Sequence, residues 1–201
     1  MLKILSFILA SMLCLSVHAQ SNNISPYDST DYYYQIPSYP ESYTAESVAA
    51  RLIDGLGFRF YWATENLREE DLNYRPSEEG RSSGETLDHI FALSLTIINA
   101  VNNKPNTRVD RSGMSDAEKR EKALENMRLA SENLKAADKG AMQNMNVIFA
   151  REAGTVEFPF WNMINGPITD AIYHTGQIVT FRRSSGNPIN PNISVLQGKK
   201  R

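Results

Sequence analysis

Histidine is scarce in this chain: 201 residues contain only His18, His89 and His174. Asp170 precedes His174 by four residues, so on a helix both side chains project from one face. Gln177 and Phe181 continue that line. It adjoins the apolar arc of Pro167, Ala171, Thr175 and Ile178 rather than the polar arc of Thr169, Tyr173 and Thr180. A carboxylate and an imidazole beside an apolar core cost stability unless they find partners. A divalent cation would meet that cost, with His89 from another helix as third ligand. Two imidazoles and one carboxylate, with positions left open, suit zinc, iron or another first-row metal. The competing reading is structural. Asp170 then hydrogen-bonds His174 and occupies a helix N-terminus where acids are favoured anyway.

Other chemistry has weaker signals. Glu85 precedes His89 by four residues, but the capping box Ser82-x-x-Glu85 explains it. Asp88, adjacent to His89, faces elsewhere. The chain has no glycine-rich phosphate loop and no distinctive pair of catalytic carboxylates. Arg182 and Arg183 would suit an anion, although cations are ordinary at a helix C-terminus.

Four amphipathic segments are available to position these groups. The first runs from about Ala45 to Leu67, with Val48, Leu52, Leu56, Phe60 and Ala63 recurring at helical spacing. Gly55 and Gly57 weaken it and suggest close packing. The second starts at the Ser82 capping box and runs to about Val101, with Leu87, Ile90, Leu93/Ser94 and Ile97/Ile98 as its stripe. The third starts at Ser115-x-x-Glu118 and runs to about Ala137, with Ala117, Leu124, Met127, Ala130 and Leu134 on one face. The fourth is clearest over Pro167–Ser184, after a turn at Gly166-Pro167. Between the third and fourth, residues 141–160 read as a crossover with short extended pieces at Val147-Ile-Phe and Thr155-Val-Glu-Phe. The expected fold class is all-α, a four-helix bundle with one long crossover.

What precedes the bundle reads differently. Lys3, the apolar run Ile4–Leu15 and the small-residue end Val17-His-Ala19 form a signal peptide over residues 1–19, cleaved before Gln20. Leu13 before Cys14 does not fit a lipidation site. Residues 20–43 form an irregular arm rich in Tyr, Pro and Ser, and residues 44–201 form the bundle domain. Cleavage removes Lys3, Cys14 and His18, leaving no cysteine for a disulfide or a thiolate ligand. The fold must therefore be held by its core. The whole chain carries a formal charge of −2 without basic clusters, which argues against nucleic acid as a partner. No second long apolar run follows, so the mature chain is expected off the membrane.

Two stretches resemble a known family. Arg75–Ile90 (RPSEEGRSSGETLDHI) resembles the junction of the first two helices in the DinB-like (YfiT-like) superfamily. Trp161–Gln177 (WNMINGPITDAIYHTGQ) resembles its fourth-helix motif. The resemblance covers roughly residues 44–190. It implies a four-helix bundle, a homodimer, and a divalent metal, commonly zinc or nickel, held by one histidine of the second helix and a His-x-x-x-His pair of the fourth. Carried over, His89 and His174 match the first and last ligands, and Asp170 stands where the middle histidine would be. This keeps a ligand-capable group but changes its charge and hardness.

The expected function is a metal-dependent hydrolase or group transferase acting on a small molecule, with Gln177 orienting a group just outside the ligands. The alternative is a non-catalytic binding or scaffold bundle whose His/Asp cluster is structural. Some relatives transfer low-molecular-weight thiols. An exported protein, periplasmic or extracellular, lacks the cytosolic thiol pool, which shifts the expectation towards hydrolysis or binding. Intact-mass analysis of the exported protein is expected to show Gln20 as the first residue; retention of residues 1–19 would overturn the signal-peptide reading.

Overall fold

The computed structural model describes residues 29–201, so the expected signal peptide and the first part of the arm lie outside the described residues. Four long helical runs form the frame: α1 (Ala45–Thr64), α3 (Ser83–Val101), α4 (Asp116–Ala136) and α6 (Thr169–Ser184). A short α2 (Glu69–Asn73) joins the first two. α1 packs on α4 and α6, and α3 packs on the same two helices, giving a four-membered bundle with α1 and α3 on a diagonal. No described helix is long and apolar enough to cross a membrane.

The capping boxes place the helix starts. Ser82 accepts from the Glu85 amide and Glu85 accepts from the Ser82 amide. Ser115 and Glu118 repeat the exchange at α4. Each box satisfies two amides that a helix start would otherwise leave unpaired. Thr44 and Ser47 do the same for α1.

The core lies between the four helices. Ile53, Leu56 and Phe60 of α1 are fully buried, as are Ile90 and Ile97 of α3, Met127 and Leu134 of α4, and Ala171 and Ile178 of α6. Each large side chain among them contributes about 1.5–3 kcal/mol by leaving water. The expected stripes of the second and third helices agree with this, except that Ala117 is exposed. The first stripe is corrected: Val48 is 53% exposed and Leu52 lies at the surface. α1 instead turns Ala49, Ala50, Ile53 and Gly57 inward. Small residues let neighbours approach closely, a contribution that a count of large apolar side chains overlooks.

Gly57 shows the effect directly. A Cβ there would collide with the ring of Tyr33. The arm segment Ser29–Tyr34 is a 3-10 turn rather than irregular chain, and Tyr33 is 1% exposed. Its hydroxyl donates to Asp54, which is itself buried and paired with Lys135 at 2.7 Å. The Trp62 indole donates to the Tyr34 carbonyl, and the Arg51 guanidinium donates to the Pro37 carbonyl. This part of the arm is therefore a piece of the core and its cover, not a loose strip of tyrosines.

Two further corrections concern the second half. The crossover carries a small sheet: β1 (Pro105–Asn106) pairs parallel with β2 (Asn146–Arg151), and β2 pairs antiparallel with β3 (Gly154–Pro159). The extended pieces at Val147 and Thr155 are the two arms of this hairpin, so the domain is a helical bundle with a sheet attached. The fourth helical run also starts earlier than expected. α5 (Trp161–Met163) continues through a π-helical segment, Ile164–Ile168, into α6. Proline has no amide hydrogen and its ring presses on the preceding turn. The wider π turn accommodates Pro167 without ending the helix.

The far end of α6 is tied down by charge. Arg182 is 3% exposed and donates to the Trp62 and Ala63 carbonyls of α1 and to Asn187. It serves as a helix-end cation, the ordinary reading of its position, and is engaged by these carbonyls; Arg183 remains exposed. Nearby, the fully buried Asp71 accepts from Arg68, Ser185 and Asn187. The Arg68 guanidinium, followed by these neighbours, holds its carboxyl well below the usual carboxylate range. Its contribution to stability is present above the unfolded value of about 3.9 and is lost as pH falls through the lower folded value. Asp71→Asn is expected to cost about 2 kcal/mol in urea unfolding at pH 7. That gap is expected to stay level down to about pH 5 and shrink below about pH 4; a gap independent of pH would show that charge is not its source.

Candidate metal centre

α3 and α6 pack side by side, and this contact brings His89, Asp170 and His174 together. His89 lies in the second turn of α3. Asp170 is the second residue of α6, just after the π segment, and His174 is one turn further on. The ring of His89 meets that of His174 edge to face, with centroids 4.6 Å apart. One potential ligand atom from each of the three residues falls within 4.8 Å of the other two.

Asp170 holds both rings. Its Oδ2 is 3.2 Å from His89 Nε2, and its Oδ1 is 3.3 Å from His174 Nε2. His174 is 9% exposed, while Asp170 remains open, its side chain 42% exposed. The cluster thus has a buried back and an accessible front.

Gln177 pairs with His174, and the amide orientation bears on the tautomer of the ring. Its Oε1 lies 2.7 Å from His174 Nδ1. An amide oxygen only accepts, so Nδ1 carries the hydrogen and donates. In a neutral ring Nε2 then presents a lone pair to a carboxylate oxygen. Two acceptors facing each other repel unless a cation lies between them. A proton on Nε2 meets that need, and so does a divalent ion bound to both atoms.

Burial is the largest cause lowering the His89 pKa below its ordinary value. The hydrogen bond to Asp170 works against it, and the charges of Arg81 and His174 work with it. The net effect favours the neutral form of His89, the form that ligates metal.

The residues expected to stand apart do so. Glu85 is committed to the Ser82 cap and to Arg75 at 3.0 Å. Asp88 pairs with Arg111 at 3.0 Å and Lys119 at 3.2 Å. Sequence reasoning missed Arg81, whose charge reaches His89 although its position matches no recognisable spacing. The donor set of two imidazoles and one open carboxylate fits a divalent first-row ion. Occupation by such an ion predicts that His89→Ala and His174→Ala each abolish stoichiometric binding, and that Gln177→Ala weakens it about 10- to 100-fold. Competition with a chromophoric chelator measures all three, and unchanged affinity in the histidine variants would rule the centre out.

Comparison with curated proteins and with solved structures gave no match. The family model described as DinB family matches residues 59–194, a span that includes His89, Asp170, His174 and Gln177. With that match over more than half of its length, the chain belongs to the DinB family.

Proposed function

We propose that this is an exported metal-dependent enzyme, a hydrolase or group transferase of small molecules, with His89, Asp170 and His174 holding one divalent ion. The observation that carries the reading is the convergence of His89, Asp170 and His174, one potential ligand atom from each lying within 4.8 Å of the other two. When bound, the ion supplies Lewis-acid polarisation of a substrate group. The chain supplies the rest. Gln177 fixes one ring, the buried back of the cluster excludes water on that side, and the exposed edge of Asp170 leaves an approach for substrate. Asp88 and Glu85, the acids of α3 closest in sequence to His89, are engaged elsewhere. Export favours hydrolysis over transfer of a cytosolic thiol.

One observation favours the structural alternative: Asp170 reaches both rings at hydrogen-bond distance without help. With the Gln177 amide reversed, its NH2 would donate to Nδ1 and His174 Nε2–H to Asp170, closing the network without a cation.

The test is elemental analysis of the mature chain, followed by a hydrolase and thiol-transferase substrate panel with the metal restored. About one equivalent of zinc, nickel or iron is expected, with activity lost on chelation and in His89→Ala. A chain that retains no metal, and whose melting temperature ignores added metal, belongs to the structural reading. A chain that retains metal and is inert across the panel would show the centre to be structural.

A further inference from the structure

His89 forms part of the wall of an open cleft of about 1330 Å³, bounded by the α2–α3 junction, the 108–112 loop and the first turns of α4. Its charges can be paired off. Arg75 is held by Glu85 and by the Gly80 carbonyl. Arg111 forms a two-point contact with Asp88, at 3.2 and 3.0 Å, and Lys119 shares that carboxylate. Asp110 accepts from the amide and hydroxyl of Ser112. Arg81 and Arg108 remain: both are exposed, both line the cleft, and neither has a hydrogen-bond or ion-pair partner among the described residues. Glu79 is the one acid of the cleft wall in the same condition. Five basic residues of the wall face five acidic ones, so the cleft carries no net charge, and Arg81 and Arg108 are the cations of its wall without an anionic partner among the described residues.

Unengaged guanidiniums on a concave wall suit planar oxyanions, which they hold through paired N–H donors. The cleft is larger than a typical closed ligand pocket, so shape alone would select weakly and charge must do more of the work.

We propose that this cleft binds an anionic small molecule, with Arg81 and Arg108 holding its carboxylate or phosphate while its other end reaches His89, Asp170 and His174. The second half of this statement rests on the metal-centre reading; the anion subsite does not. The anion is shared chemistry between a carboxylic acid and a phosphate ester, and the two are separated by probe.

The metal-free mature chain is titrated at low ionic strength, where exposed charges are least screened. The probes are succinate, inorganic phosphate and the neutral diamide of succinate. At least one anion is expected to bind and the diamide is not; which anion binds identifies the acid. The pair Arg81→Gln/Arg108→Gln is expected to weaken binding about tenfold or more. A control pair of exposed arginines, Arg151→Gln/Arg183→Gln, is expected to change nothing, and melting temperatures confirm that both variants fold. No binding of either anion, or equal loss in the control pair, overturns the subsite. His89→Ala/His174→Ala separates the two readings. It is expected to keep anion binding on the metal-free chain, whereas loss of anion binding in this folded variant would show that the anion sits on the histidines rather than on the arginines.

Discussion

Two imidazole nitrogens face the two oxygens of a single carboxylate where α3 meets α6, and that balance of charge governs the candidate site. With Gln177 accepting from His174 Nδ1, the Nε2 side of the ring and Asp170 cannot both remain acceptors without a cation between them. A network of this kind is expensive when half satisfied and stabilising when complete. Its completion depends on the α3–α6 contact, because His89 reaches Asp170 only across that interface.

The rest of the molecule fixes that interface. The capping box at Ser82 sets where α3 begins, and with it the direction of the His89 side chain. The π segment carries the last helical run past Pro167 without a break, so Asp170 follows a continuous helix rather than a loop. At the other end, Arg182 is buried against the carbonyls of α1, and Asp71 gathers Arg68, Ser185 and Asn187. These ties resist both sliding and rotation of α6. Tyr33, seated over Gly57, seals a different face of α1 with chain that lies outside the bundle in sequence.

Family membership and site chemistry carry different weight. The DinB match covers the residues of the cluster and agrees with the bundle. The carboxylate at position 170 makes the cluster harder and more negative than a three-imidazole set would be, which bears on which ion it prefers. The cleft beside His89 presents two arginines, Arg81 and Arg108, without partners among the described residues.

Helix starts were legible from local chemistry, because a Ser-x-x-Glu box is satisfied within one turn and needs no distant partner. Asp170 and His174 were legible as a pair because i, i+4 spacing fixes a shared helix face whatever the tertiary structure, and His89 was a candidate because histidine is rare here. The burial of Tyr33 was not legible, since a tyrosine-rich arm becomes core only when a glycine elsewhere leaves room for it. Nor was the inward face of α1, where Ala49, Ala50 and Gly57 serve close approach rather than bulk. The burial of Arg182 was not legible either, because two of its partners are backbone carbonyls far away in the chain. Arg81 and Arg108 are distinguished only by lacking partners, and pairing is a property of the folded surface. The sequence by itself determined the candidate ligand types, the helix that Asp170 and His174 share and the starts of the helices around them, because each depends on neighbours within a turn. Only the tertiary structure decided that His89 meets Asp170 and which charges stay free, because those outcomes depend on contacts between segments that sequence distance does not order.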